Sequence, residues 1–511
     1  MPGSIGGSVS FTRWVAALGV AACLCIAVVI AVHQGSLYDD EISNVRLVEG
    51  RDIASIIHIA NSTDVHPPGS YVLNALALRL LGSWESVKIA GGCLNAIALA
   101  IFLFMAYGSL TQGQRLLLTG LLATASTTLL WGASIRWYSY FNPVFTVALA
   151  LLLFSSLGRT ARSLILGVAA ILLFYLSYAA ICAGVILLLV HVARDYREWQ
   201  RTELFGLTCI GAVALAVCLP QLQVFLHVHM ANQGHQVGGP ITALIQTGTT
   251  LVVGNAVFPA APLPILYAVV VGATCLFWLF ARSKVPVQRL VVAALITGVL
   301  LMVVLGIGVK PRNSVFLLPL VALILCWAFT ALPPRAAAAA IAVLIAFQAL
   351  GLRDLVFHVD TLKGSYNSDF RAAMRQVAQW HSVCGSVTVF NHDPVLTYMV
   401  DVAGLRQSSP YETTARPQIT LSPGECVVLA RTFHGVIALP TAEAMYGLVT
   451  PGKLPLLESS DIGPDRYFAM KGRLMHDQVP PFYLHLDLFR ADRDITLTGW
   501  SMLATSEGDT R

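Results

Sequence analysis

The chain has 511 residues, of which 56% are hydrophobic and only 12% charged, and its mean hydropathy is +0.71. Those proportions exclude an ordinary soluble protein. The formal net charge of +5 comes without a basic stripe or a nucleic-acid-binding module, so nucleic acid is excluded as a partner.

Apolar runs long enough to cross a hydrocarbon core of about 30 Å recur from the N-terminus to Leu352. They predict some 11 spans, near 14–33, 86–107, 116–134, 140–157, 163–176, 178–192, 204–222, 262–281, 290–309, 313–332 and 336–352. Ser177-Tyr178 splits what would otherwise be one long tilted helix into two short ones. The first span reads as an uncleaved anchor, because Trp14 to Val32 is longer than a signal-peptide core and lacks a small-residue cleavage site.

Positive charge orients these spans. With Arg13 inside, the cytoplasmic connections carry Arg115, Arg159, Arg162, Arg194, Arg197, Arg201, Arg282, Lys284, Arg289 and Arg335. The short outer connections carry only Arg136, Lys310 and Arg312. The expectation is a multi-pass protein of a bacterial inner membrane, in contact with membrane lipids. Its N-terminus is then cytoplasmic and its tail periplasmic or otherwise extracytoplasmic.

The first outer loop, about 34–85, is too long for a simple connection and too apolar for disorder. Ile53–Ile59 and Tyr71–Leu81 read as short interfacial helices separated by Asn61–Pro68. A second long outer stretch, Gln221 to Ala261, has no Asp, Glu, Lys or Arg. Its His227, His229 and His235 read as parts of a polar interfacial segment, with metal binding the weaker alternative.

At about Arg353 the composition changes. The tail holds 17 of the 27 acidic residues, and its apolar positions become periodic. Ser368 would cap a helix running to about Trp380, with Phe370, Met374 and Val377 on one face. Runs at Ser386–Phe390, Cys426–Arg431, Tyr467–Lys471 and Tyr483–Phe489 read as strands. The fold class is therefore an α-helical polytopic membrane domain over 1–352, followed by an extracytoplasmic α/β domain over 353–511. Of ten cysteines, eight lie in apolar spans, and only Cys384 and Cys426 lie in the tail. If their two strands are parallel neighbours, the thiols stand close enough to form a disulfide.

Chemistry points to the outer face. Between Glu85 and Asp354 the only acids are Asp195, Glu198 and Glu203, all in one cytoplasmic connection. That leaves Asp39-Asp40-Glu41, just past the first span, as the acid cluster of the outer side. His66-Pro67-Pro68 fixes the chain direction as it returns to the membrane. Arg136, Lys310 and Arg312 stand at outer span ends. A carboxylate that takes a proton from an acceptor, opposite cations that stabilise a departing phosphate, suits displacement of an anionic leaving group.

Asp40-Glu41-Ile42-Ser43, then His66-Pro67-Pro68-Gly69-Ser70-Tyr71-Val72-Leu73-Asn74, and later Arg136-Trp137-Tyr138, resemble the GT-C superfamily of membrane glycosyltransferases. Within it the chain is most similar to the protein mannosyltransferase branch, which includes the lipid A aminoarabinose transferases. The similarity follows the order of elements through most of the membrane region, is strongest from Tyr38 to Leu81, and is weak in the tail.

The resemblance implies a polyprenyl-phosphate sugar as donor and an inverting single displacement onto a glycolipid, polysaccharide or protein acceptor. It makes Asp40 the expected base. Glu41 is its motif partner, and Asp39 is an extra acid that leaves the register open by one. His66, Arg136, Lys310 and Arg312 are expected around the donor phosphate, and Tyr71, Tyr138 and Tyr178 in the substrate pocket.

Three departures from the family pattern stand out. A His-Tyr pair reads Ser177-Tyr178, which removes the histidine. Gly69 replaces a frequent leucine and is expected to loosen the helix that starts there. The second outer loop, Ser134–Tyr140, has no acid. No metal site and no tightly bound cofactor are therefore expected.

Two other classes compete. A flippase or transporter would need ionisable groups at the bilayer midplane or two related halves, and neither is visible. A surface polysaccharide polymerase or ligase would carry its main functional loop late in the chain.

Overall fold

The computed structural model describes residues 5–34, 37, 39–63, 66–195, 198–231, 240–254, 262–281, 286–304, 311–357, 370–391, 394–408, 418–432, 454–462 and 484–498. The chain divides into two compact units, residues 1–33 with 44–357 and residues 34–43 with 358–511. The division falls five residues beyond the compositional boundary, where the last helix of the apolar region ends.

The first unit is helical. Its first span is α1 (Ile5–Gln34), and the first loop folds as α2 (Asp39–Val48), α3 (Ile53–Thr63) and α4 (Gly69–Leu81). There follow α5 (Trp84–Ala106), α6 (Gln112–Ala123), α7 (Ser126–Gly132), α8 (Tyr138–Phe154), α9 (Arg159–Leu176) and α10 (Ala180–Arg194). The unit continues through α11 (Arg201–Ala231), α12 (Pro240–Val253), α13 (Pro262–Ala281) and α14 (Pro286–Val304). A 3-10 segment, Pro311–Leu317, then leads into α15 (Leu318–Ala331), and α16 (Pro334–Phe357) ends the unit.

Among the described residues seven helices are long and apolar enough to cross a membrane, and α8, α10 and most of α13 are shorter apolar helices. The protein is an integral membrane protein. Each expected span has a helical counterpart, but 116–134 is two helices, parted at Thr124-Ala125, where Thr124 Oγ1 donates to Gly120 O at 2.8 Å. The second outer stretch contains α12, which a search for charges passes over.

Local chemistry sets the boundaries in the first loop. Asp52 accepts from the Ser55 amide at 2.7 Å and so caps α3. That bond holds its carboxyl below the usual carboxylate range. The cap is therefore in place at neutral pH and is lost as pH falls through the depressed pKa. Helix α4 ends at Gly82, whose φ of 77° is left-handed and whose N–H reaches Leu78 O. Leu47, Val48, Ile56, Ala60, Tyr71 and Ala75 form a buried cluster that joins the three loop helices.

Gly69 does not loosen α4. The helix begins there, and a Cβ at this position would lie 2.4 Å from Tyr175 O, a backbone atom of α9. Glycine is required by the close approach of two backbones. Gly91 of α5 is similar, since its Cβ would lie 2.8 Å from Gly132 O and 2.9 Å from Ser139 Cβ.

In the second unit, α17 (Phe370–Cys384) is followed by β1 (Val387–Phe390), α18 (Pro394–Val402), β2 (Arg406–Ser408), β3 (Gln418–Leu421) and β4 (Cys426–Thr432). Then come β5 (Leu456–Ile462), β6 (Leu484–Arg490) and β7 (Ile495–Thr498). Five strands form one sheet in the order β2-β1-β4-β6-β5, parallel across β2, β1 and β4 and antiparallel beyond, while β3 and β7 pair separately. Phe370, Ala373, Val377 and Trp380 are the buried face of α17, which packs on β1, β4 and β6. The expected cap Ser368 and the expected strand Tyr467–Lys471 lie outside the described residues.

Strands β1 and β4 pair in parallel with Val387 opposite Cys426. Cys384, at the end of α17, is bonded to Cys426, with Cα atoms 5.9 Å apart and a sequence separation of 42. Closing a loop of that length restricts the unfolded chain by about 4 kcal/mol. In denatured but unreduced protein both thiols should therefore resist alkylation, and Cys384→Ser should lower the stability of the C-terminal unit by about 3–4 kcal/mol. Labelling of both residues without reductant would show that the bond does not form. Gly69→Ala should cost about 1–3 kcal/mol through overpacking. A melting temperature equal to wild type in detergent would contradict the close α4–α9 approach.

Candidate active site

Between α7 and α8 the backbone leaves helical geometry over residues 133–137, and it is buried. Its carbonyls need donors. Asn44, 2% exposed, donates through Nδ2 to Ile135 O, and Ser139 Oγ donates to Ser134 O. Asn95 of α5 donates to Ser139 O at 3.1 Å and to its own Gly91 O at 2.9 Å. The irregular segment is thus held by one side-chain amide and one hydroxyl, and Asn95 secures the helix start that follows it.

The same segment carries Arg136, which is 8% exposed and donates from Nη1 to Asn44 Oδ1 at 3.4 Å. Two tyrosines at the start of α8 extend the connections. Tyr140 Oη donates to the buried Asn74 of α4 at 2.9 Å, and Tyr138 Oη donates to Asn313 at 3.3 Å. Asn313 follows Arg312 in the 3-10 segment that leads into α15. Phe316 packs edge-on against Phe141 and Phe145 of α8, which fixes that segment against the helix.

Three expected phosphate-binding residues therefore have a common setting. His66 precedes α4, Arg136 precedes α8, and Arg312 precedes α15. Helix N-termini carry partial positive charge; His66 and Arg136 lie just ahead of such an end, and Arg312 lies in the 3-10 segment that leads to one. The bonds from Tyr140 to Asn74 and from Tyr138 to Asn313 tie the beginning of α8 to α4 and to the 3-10 segment. Lys310 and the side chains of Asp39 and Asp40 lie outside the described residues. The backbone at Asp39 and Asp40 opens α2, and Glu41, in its first turn, is fully buried. Asp40 and Glu41 stand one helical turn before Asn44.

The remaining expected pocket residues are placed elsewhere. Tyr71 is buried in the core of the first-loop helices. The Tyr178 hydroxyl accepts from Gln221 Nε2 of α11 at 2.8 Å, and its ring lies 4.4 Å from that of Phe225. Asn44, Asn74 and Asn313 escape a search for charge. Their signal is positional: each amide stands one turn from, or directly beside, a motif residue.

Acids of the first unit have structural partners. Glu49 accepts from Trp84 Nε1, Glu85 pairs with His33, and Asp52 caps α3. Glu203 pairs with Arg159 at 2.7 Å and Asp195 with Arg162, while Arg194 donates to Leu152 O and Ser155 O. Those contacts gather at the C-terminal end of α8. The helix has 17 residues, so they lie roughly 25 Å from the end that carries Arg136.

Neither a family model nor a curated protein sequence matches the chain. Among solved structures, ArnT from Cupriavidus metallidurans in the apo state matches with a TM-score of 0.50 and 12% identity. The match covers 96% of this chain and 99% of that one. ArnT from the same organism bound to undecaprenyl phosphate matches over the same shares at 12% identity with a TM-score of 0.43. The apo likeness spans the apolar helices and the C-terminal sheet unit alike, and it is a likeness of fold: the chain has the fold of ArnT.

Proposed function

We propose that the protein is an inverting glycosyltransferase that moves a sugar from a polyprenyl-phosphate donor to an acceptor hydroxyl at the outer membrane face. The observation that carries this reading is the linkage of the helix starts behind His66, Arg136 and Arg312. Positive helix ends and guanidinium forks both favour phosphate oxygens. Lys310, two residues before Arg312 in sequence, is proposed as a further cation of the donor site.

In this reading Asp40 is the base, with Asp39 and Glu41 as the neighbouring acids of the cluster. It takes the proton of the acceptor hydroxyl while that oxygen attacks the anomeric carbon. The bond from that carbon to the phosphate oxygen breaks on the opposite face, and its electron pair leaves with polyprenyl phosphate. One displacement inverts the anomeric centre. The cations stabilise the charge that grows on the leaving group. Tyr138, bonded beside Arg312, is the best placed of the three tyrosines to line the donor site. The acceptor class is a glycolipid, a polysaccharide or a protein hydroxyl.

The Asn44 amide bonds both Ile135 O and Arg136, and Ser134–Tyr140 has no carboxylate to pair with the first-loop acids around a divalent ion. Transfer is accordingly proposed to be metal-independent. Activity should survive EDTA, and a loss restored by Mg²⁺ or Mn²⁺ would reverse that point.

Asp40→Asn should bind donor normally while turnover falls by about 10²–10⁴-fold, the usual worth of a positioned base. Near-normal transfer by the purified variant would move the role to Asp39 or Glu41, tested the same way. Arg312→Lys keeps the charge but loses the two-pronged geometry, so its cost should appear first as a raised KM for donor. Unchanged donor kinetics in Arg136 and Arg312 variants would reduce both residues to membrane anchors.

A further inference from the structure

Helices α1 and α5, the two stems of the first loop, run antiparallel and keep one register along their length. His33 pairs with Glu85 at the outer ends. Eight residues inward on each helix stand Cys25 and Cys93, and eleven further on each the Trp14 and Phe104 rings lie 4.3 Å apart. Arg13 adds a contact at that end, its guanidinium carbon 3.9 Å from the centre of the Phe104 ring. Between these points the helices come close because Gly92 has no side chain: a Cβ there would lie 2.6 Å from Val28 Cγ1. Register and close approach together set Cys25 opposite Cys93, and the two thiols form a side-chain hydrogen bond. The pair lies about 12 Å below the outer helix ends. Both cysteines are half-buried, which leaves them open to a lipid-soluble species.

We propose that Cys25 and Cys93 form a two-coordinate site for a soft metal ion, mercuric or cuprous. Cysteine sulfur selects soft ions, and these two ions accept a pair of sulfur ligands without further partners. Hydrocarbon penalises charge, so the favoured complex is neutral. A mercuric ion takes two thiolates, forming two Hg–S bonds and releasing two protons. A cuprous ion takes one thiolate and one intact thiol and releases one proton. Zinc requires four ligands, and among the described residues no group of three His, Cys, Asp or Glu side chains could hold a metal. A bound ion would pin the stems of the first loop to each other. The site stands apart from the transfer reaction proposed above and does not depend on it.

The test uses the full chain purified in detergent. One equivalent of mercuric chloride, or of cuprous ion kept reduced by ascorbate, is added. Excess thiosulfate then strips ions held by a single sulfur without reducing the Cys384–Cys426 bond, and native mass spectrometry reads what stays. One ion retained by the wild type is expected with at least one probe, and the retained probe identifies the metal. A second ligand on the same protein acts at high effective concentration, so Cys25→Ser and Cys93→Ser should each lower retention about tenfold or more. Cys209→Ser removes an exposed thiol outside the pair and should leave retention unchanged. A melting temperature equal to wild type shows that a variant is folded, and alanine replaces serine at either position where the serine variant is not. No ion retained by the wild type with either probe overturns the proposal, as does retention in the folded Cys25 and Cys93 variants equal to wild type. A mass lower by two hydrogens with no metal bound also overturns it, because the pair is then a disulfide.

Discussion

Irregular backbone buried in an apolar bundle must find donors for its carbonyls, and residues 133–137 are where this protein meets that demand. A helix would satisfy those groups internally. Here Asn44 of α2 and Ser139 of α8 do so, while Asn95 of α5 bonds Ser139 O at the start of α8. The cost of an orphaned carbonyl locks the first loop and α8 into one arrangement. That arrangement is what gives Arg136 a defined position, because its neighbour Ile135 and its own guanidinium share Asn44.

Helix α8 separates two kinds of charge. At its C-terminal end, Arg159, Arg162 and Arg194 are consumed by carboxylates and by carbonyls that close helix ends. Such pairs fix geometry. At its N-terminal end the partners of the tyrosines are neutral amides, which orient side chains without adding charge. The polarity of the bundle therefore arises from where acids are placed more than from where bases are.

Much of this was legible in the residues. Hydropathy located the spans because bilayer thickness sets a length no other element needs. Two apolar runs that each begin near a cysteine allow a disulfide if they are parallel neighbours, and the pairing of β1 with β4 meets that condition. The break at Thr124-Ala125 was hidden because hydroxyl residues lower hydropathy only slightly. Strand β5 was hidden because its sequence, Leu-Leu-Glu-Ser-Ser-Asp-Ile, lies largely exposed and lacks alternation. The reason for Gly69 was also out of reach, since it depends on Tyr175, more than 100 residues away. The asparagines went unassigned because uncharged amides have no pattern of their own and gain meaning only from what they touch.

The second compact unit is assembled from two pieces of chain, residues 34–43 and residues 358 onward. More than 300 residues separate them, and synthesis at some 5–20 residues per second takes roughly 15–60 s to cover that gap. Throughout that interval the ribosome has already released the turn bearing Asp39, Asp40 and Glu41, while most of the unit to which it belongs does not yet exist. The acid turn is thus among the first parts of its compact unit to be made, and the C-terminal sheet is among the last.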